Sequence, residues 1–454
     1  MNNHTASGSL PESPAIGLIS LGCSKNLADA ENLCSALLAM GYRIEPEYAR
    51  CDLIIVNTCG FIEAAVEESR DAIAEALEHS GKVIVTGCLG ARAQKIRELY
   101  PQVLGVYGPG MRAAVLRGII RALGRPPLAA RQQLEPSGIL LTPPHYAFVK
   151  IAEGCRHHCT FCIIPSLRGP LRSRAPEAIL SQARDLRARG VRELLIIAQD
   201  SSDYGIDLHP ATSLSALLRK LAEYKGWIRL HYVYPGREAD RAVELMGEGL
   251  ILPYLDVPLQ HASPQILRAM KRPGNIDRMY HTLERWRALC PDLAIRSTFI
   301  TGFPGETRSQ FEELLAFLRE ARLDRVGCFP YSNIEGAAAR ELPGQVDEEE
   351  KQARARELME IQEQISYAKL EERVGSTCQV LIDYTGEDGT AVGRSKYESP
   401  DVDGVITLSH AKGLRPGDFV SAVIVGHDAH DLKAVPASTQ PEQATPAPVK
   451  FKKC

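Results

Sequence analysis

Residues 153–165 read EGCRHHCTFCIIP and place Cys155, Cys159 and Cys162 in a C-x3-C-x2-C spacing, close enough to hold one metal centre. Three thiolates are one short of the four protein ligands that close a tetrahedral zinc or an all-cysteine iron–sulfur cluster. A four-iron four-sulfur cluster held this way leaves one iron free to bind a small molecule. Phe161, Ile163 and Ile164 would shield that iron from water. Zinc is the rival, with His157 or His158 as fourth ligand. The two histidines adjoin one another inside the x3 gap, where the chain must turn tightly, and no second Cys/His pair follows.

Three further cysteines end apolar runs: AIGLISLGC at Cys23, CDLIIVNTC at Cys59 and KVIVTGC at Cys88. The runs have strand length and β-branched character, and amphipathic helical stretches such as IEAAVEESRDAIAEALEHS separate them. This alternation predicts a parallel sheet with helices on its faces. The carboxyl ends of parallel strands share one edge, so Cys23, Cys59 and Cys88 are expected to meet in space. Free cysteine is also a common buried residue; three at equivalent strand ends favour a shared metal site. Cys34, Cys51, Cys290 and Cys328 are assigned to packing and Cys454 to a flexible tail.

The elements that must position these residues fall into blocks along 454 residues, an α/β fold with an all-β end. Residues 1–14 read as a disordered tail, 15–123 as an N-terminal parallel α/β sheet domain, and 124–144, with five prolines, as a linker. Residues 145–371 repeat the strand–helix alternation six times, which predicts an open (β/α)6 barrel rather than the closed eight-stranded one. Residues 374–440 carry four short alternating runs separated by Gly/Asp/Pro turns, a small all-β barrel, and 441–454 form a second tail. From Val374 to Val435 five Lys/Arg stand against nine Asp/Glu. Such a surface repels a polyanion and attracts a basic partner. The N-terminus lacks the charged and apolar regions of a signal peptide, and the apolar runs are too short to span a bilayer. Twelve cysteines in a cytoplasmic chain then point to metal or redox chemistry rather than disulfides.

The stretch GCRHHCTFCIIP resembles the signature of the radical S-adenosylmethionine enzymes, which place C-x3-C-x2-C in the loop after the first barrel strand. The resemblance implies that S-adenosylmethionine occupies the open iron of a [4Fe-4S] cluster and is cleaved to a deoxyadenosyl radical that abstracts an unactivated hydrogen. The three blocks together resemble the narrower methylthiotransferase family: an N-terminal domain with a second three-cysteine cluster, a radical core and a C-terminal barrel called the TRAM domain. Two [4Fe-4S] clusters are thereby implied, with Cys23, Cys59 and Cys88 holding the auxiliary one, whose open iron carries the sulfur to be inserted. One S-adenosylmethionine would methylate that sulfur and a second would start the radical. The resemblance also offers cofactor contacts. Arg168, Arg172 and Arg174 of LRGPLRSR would orient the S-adenosylmethionine carboxylate or the substrate, or else form a solvated basic loop. Gln199 and Asp200 of IAQD lie where the family binds ribose and amino groups, and Thr301 and Gly302 of STFITGFPGE resemble its adenine-contacting strand.

The family has a branch that modifies transfer RNA and one that modifies an aspartate of ribosomal protein S-twelve. LGCSKNLADAEN resembles the protein branch's GCPKNLVDSE, whereas the RNA branch prefers Gln-Met-Asn after its first cysteine. Glu335 of YSNIEGAAA and the stretch VGRSKYESPDVDG resemble the same protein branch, and the acidic barrel suits a basic ribosomal protein. The expected reaction is therefore methylthiolation at the aspartate β-carbon, with a reductant such as flavodoxin or ferredoxin, no membrane, and no nucleic acid required for binding. The alternatives are a transfer RNA methylthiotransferase, a non-catalytic iron–sulfur electron-transfer protein and a zinc-dependent RNA-binding protein.

Overall fold

The structure is a computed structural model and describes residues 13–126 and 138–437. Most of both expected tails, Cys454 and most of the expected linker lie outside the described residues.

The first sheet contains β1 (Ala15–Ser20), β2 (Arg43–Ile44), β3 (Leu53–Thr58), β4 (Val83–Gly87) and β5 (Gly105–Val106), in the order β2-β1-β3-β4-β5 with every pair parallel. Strands β3 and β4 are buried along their whole length, as continuous Val/Ile runs covered by helices on both faces should be. The two short edge strands β2 and β5 escape a reading based on apolar runs. Part of the proline-rich stretch is docked: the Ile139 amide donates to Ser35 Oγ at 2.9 Å and the Leu141 amide to Glu31 Oε1 at 2.8 Å, both on the helix Ser24–Met40.

The central domain contains β6 (Tyr146–Lys150), the antiparallel pair β7 (Ala152–Glu153) and β8 (Arg172–Ser173), then β9 (Glu193–Ile197), β10 (Trp227–Leu230), β11 (Tyr254–Asp256), β12 (Ala294–Thr301) and β13 (Arg325–Pro330). The order β13-β12-β11-β10-β9-β6 is all parallel and open, with the six expected strands in sequence order. Connecting helices begin where local chemistry says they should. Ser213 caps Leu214–Leu221, and Thr307 with Gln310 forms a reciprocal capping box ahead of Arg308–Ala321.

The last domain is a closed barrel of β14 (Thr377–Thr385), β15 (Ala391–Arg394), β16 (Ile406–Leu408), β17 (Phe419–His427) and β18 (Leu432–Pro436), ordered β14-β15-β16-β18-β17. The fifth strand pairs parallel to β16 and antiparallel to β17, which closes the barrel. Its short, proline-ended sequence gives no strand signal by itself. The polar stretch Arg394–Asp403, from the last residue of β15, packs onto the open sheet. Arg229 is fully buried; it donates to Glu193 Oε1 at 2.7 Å and to the Lys396 and Ser395 carbonyls at 2.9 and 3.2 Å. Arg394 takes the other Glu193 oxygen at 2.7 Å, Glu398 pairs with Arg373 and Arg325, and Tyr254 donates to Asp403 at 2.6 Å. Trp227 of β10 meets Phe419 of β17 across the same junction, ring centroids 4.9 Å apart.

A buried ion network of this kind holds one geometry, and removing one partner strands the others. Arg229→Met is expected to destabilise the protein by about 3–5 kcal/mol, read from denaturant unfolding followed by the fluorescence of Trp227 and Trp286. Burial alone would raise the Glu398 carboxyl, but Arg373 and Arg325 hold it at about 2. Its stabilisation is thus complete above the ordinary carboxylate pKa of about 4.3 and is lost as pH falls toward 2. Glu398→Gln is expected to unfold more easily at pH 7 and to show a flatter loss of stability between pH 4.5 and 2.

Candidate active site

Strands β1, β3 and β4 are neighbours, and a cysteine follows each at the carboxyl edge: Cys23 three residues past β1, Cys59 and Cys88 directly after β3 and β4. The loops touch. Gly22 has φ +86°, and a Cβ there would stand 3.0 Å from Cys59 Sγ. Asn26, fully buried, ties all three together. Its Nδ2 donates to the Leu21 and Thr58 carbonyls at 2.9 Å each, and its Oδ1 accepts from the Cys88 thiol at 3.7 Å. Ser69 fixes Cys59 by bonding both its amide and its carbonyl. Burial raises the Cys59 and Cys88 thiols, Cys88 to about 11; Cys23 pushes both further, and Cys59 also pushes Cys88. Burial would raise Cys23 as well, but Lys25, the Asn26 amide and Arg168 outweigh it and bring it below its ordinary value.

The second set lies in the loop after β7, at the carboxyl end of the central sheet. The His157 amide points at Cys155 Sγ at 3.4 Å and the Ile164 amide at Cys162 Sγ at 3.5 Å, and burial raises these thiols to about 11 and about 12. Backbone amides aimed at sulfur suit anionic thiolates. The His157 ring turns away from the sulfurs. Its Nε2 bonds Asp200 at 2.7 Å, and the ring stacks on Tyr234 with centroids 4.0 Å apart. His158 is exposed. The donor set left for a metal is three thiols, which fits an open iron–sulfur cluster. Among the described residues only His157, Asp200 and Asp203 bring three donor atoms within 4.8 Å of one another, so neither cysteine set is drawn together as around a single zinc.

The other expected contacts divide. Gln199 donates to Glu153 Oε1 at 2.7 Å and leaves its own buried Oε1 without a partner, an acceptor suited to an amino group. Asp200 is engaged by His157 and by the Ser202 amide and hydroxyl. Arg174 bonds the Lys150 carbonyl and Gln182, and Arg172 is exposed. Thr301 and Gly302 face Lys351 of the helix Glu348–Glu371; the Thr301 hydroxyl meets the Lys351 carbonyl at 3.4 Å, and a Cβ on Gly302 (φ +69°) would collide with the Lys351 side chain.

Arg168 stands apart from the other two arginines. Its side chain is 1% exposed and reaches out of the central domain into the first one. It donates to Cys88 Sγ at 3.3 Å, to Asp29 at 3.1 Å, to Glu153 at 2.8 Å and to Asn26 Oδ1. Lys150 joins the same two carboxylates. Burial would raise Glu153, yet Lys150 and Arg168 hold it at about 2. Around this ion cluster, Cys88, Leu89, Ile163, Leu167 and Ile334 form one apolar cluster drawn from both domains. The two cysteine edges therefore face each other across a seam. Asn26, Glu153 and the bridging role of Arg168 are not visible in the spacing of the cysteines, although Asn26 and Glu153 lie within three residues of one. In metal-free protein at pH 8, Cys23 is expected to react with iodoacetamide at least about tenfold faster than Cys88, because its sulfur is the more accessible and its thiol is lowered while Cys88's is raised. Peptide mass spectrometry over a time course measures both rates, and equal rates would refute this reading of the edge.

Comparison with known proteins covers the same ground. The Radical SAM superfamily profile matches residues 149–318, the uncharacterized protein family UPF0004 matches 15–108 and the TRAM domain matches 374–436. Ribosomal protein uS12 methylthiotransferase RimO of Chromobacterium violaceum is 49% identical over 93% of this chain and 98% of its own length. The protein of that name from Proteus mirabilis is 50% identical over 92% of this chain and 97% of its own. Among solved structures, the radical S-adenosylmethionine methyltransferase TsrM of Kitasatospora setae shares the fold, with TM-score 0.52 and 15% identity over 71% of this chain and 74% of that one. With relatives at half identity along nearly the whole length, this chain belongs to the ribosomal protein uS12 methylthiotransferase family.

Proposed function

We propose that the protein is a sulfur-group transferase that adds a methylthio group to the β-carbon of an aspartate in ribosomal protein uS12. Cys155, Cys159 and Cys162 would hold a [4Fe-4S] cluster that binds S-adenosylmethionine, and Cys23, Cys59 and Cys88 a second [4Fe-4S] cluster. The observation that carries the proposal is the pairing of two three-thiol sets face to face across the Arg168 seam. When bound, these groups supply the one-electron chemistry that opens an unactivated C–H bond and the sulfur that replaces the hydrogen.

The chain's own residues supply position and environment. Ile163 and Leu167 close the seam against water, which strengthens every charge interaction inside it. Arg168 offsets thiolate charge at Cys88 while tying that loop to Glu153, two residues before Cys155. The bare Gln199 oxygen suits the amino group of S-adenosylmethionine. The last barrel carries the excess of acid that a basic ribosomal protein would meet. Electrons would come from a small reductant such as flavodoxin or ferredoxin, and no nucleic acid is needed for binding.

Cys155→Ala is expected to abolish S-adenosylmethionine cleavage. Cys59→Ala should leave cleavage measurable and stop sulfur insertion; full methylthiolation by Cys59→Ala in a single turnover would refute the role of the first set. The substrate is tested by giving anaerobically reconstituted, reduced protein either uS12 or hypomodified transfer RNA. A gain of one methylthio mass on an aspartate peptide supports the proposal, and a gain on an adenosine reverses the branch.

A further inference from the structure

The helix Ser24–Met40 starts on the cysteine edge, and its second residue, Lys25, is a lysine only 9% exposed. Lysine is almost never this buried without a paired acid. The ammonium sits over the ring of Tyr232, 3.1 Å from its centroid, and among the described residues no carboxylate lies within 4.0 Å of it. The acids around the seam are already engaged by other cations: Asp29 and Glu153 by Lys150 and Arg168, Asp203 by Arg156, Asp256 by Arg296. Lys25 is thus a cation of the seam with no partner acid.

Tyr232 is built to meet it. The residue follows β10 at the carboxyl end of the central sheet and has φ +58°, a left-handed conformation that an aromatic residue rarely adopts. Its amide bonds Asp256 at 3.2 Å, and its hydroxyl meets Ser24 Oγ at 3.4 Å. An aromatic face offsets part of the desolvation of an ammonium and leaves its N–H donors free for an anion. Lys25 therefore stands two residues from Cys23, between the first cysteine edge and the carboxyl end of the central sheet, with no carboxylate partner among the described residues.

We propose that Lys25 is the residue that selects the substrate's side chain, its ammonium pairing with the carboxylate of the target aspartate. This rests on the function proposed above, in which that aspartate must enter the gap between the cysteine sets. Carboxylate pairing at Lys25 holds the side chain by its end and leaves the β-carbon facing the gap. It also discriminates against asparagine, which is equal in shape and lacks the charge. The competing role for the same ammonium is a counter-ion for the Cys23 set alone.

The test compares the affinity of anaerobically reconstituted protein, with S-adenosylmethionine present, for fluorescently labelled uS12 and for uS12 with its target aspartate changed to asparagine. Wild type is expected to prefer the aspartate form by about tenfold or more, the scale of a hydrogen bond to a charged group. Lys25→Met is expected to bind both forms alike, near the affinity of the asparagine form, while keeping its full iron content. A wild type that binds both forms equally overturns the proposal whatever the variant does. So does a Lys25→Met protein that keeps the preference, or one that loses about half of its iron, since the ammonium then serves the cluster. Lys25→Arg guards against misfolding: it should keep the preference, and its loss of the preference with iron intact also counts against pairing. If neither form of uS12 binds or is modified, the proposed function fails, not only the role of Lys25.

Discussion

A guanidinium taken out of water must recover its hydrogen bonds from protein, and Arg168 recovers them from two domains at once. Asn26 and Asp29 lie on the first domain's helix Ser24–Met40, Cys88 just past β4, and Glu153 on the strand that leads into the second cysteine loop. The contacts to Asn26, Asp29 and Cys88 form only when the two cysteine edges face each other at one separation, while Glu153 holds the guanidinium from its own domain. The surrounding apolar side chains, Leu89 from one side and Ile163, Leu167 and Ile334 from the other, add a non-directional term that the ion cluster orients. Removing Arg168 would leave Glu153 and Asp29 with only Lys150 between them. The facing of the two cysteine edges is thus held by one buried side chain and its partners.

A second constraint acts at the other side of the central sheet. The acidic barrel is fixed by Glu193, which pairs with Arg229 and Arg394, and by Glu398, which pairs with Arg373 and Arg325, so its charge has a set orientation relative to the strands. The two junctions meet at the end of β10. His231 contacts Ser399 of the barrel stretch at 3.1 Å, and the next residue, Tyr232, touches Ser24 and Lys25 of the first domain. One dipeptide thereby touches all three domains.

The three sheets and the meeting of Cys23, Cys59 and Cys88 were legible because they follow from period and topology: apolar runs of strand length, each ending in cysteine, must bring their ends to one edge of a parallel sheet. What stayed hidden depends on contacts between distant segments. Arg168 and Cys88 are 80 residues apart, Arg394 and Glu193 are 201, and no local pattern links either pair. The stretch SKYESPDVDG carries no strand pattern, yet Ser395, Glu398 and Ser399 are buried against the central sheet. Glu335, singled out as a branch marker, pairs with Lys95 and Arg92 of the first domain and so helps close the same seam. Strand β18 is legible only once β16 and β17 are seen to need a closing neighbour.

If each cysteine set holds its cluster, the two metal centres share one seam. Electron paramagnetic resonance of the reconstituted, reduced protein tests it directly, with Cys59→Ala and Cys155→Ala as references that each retain one intact cysteine set. Two paramagnets held across the Arg168 cluster interact, so the wild-type spectrum should be broadened or split beyond the sum of the two variants. A wild-type spectrum equal to that sum, or iron at only one of the two sets, would rule out two centres sharing the seam.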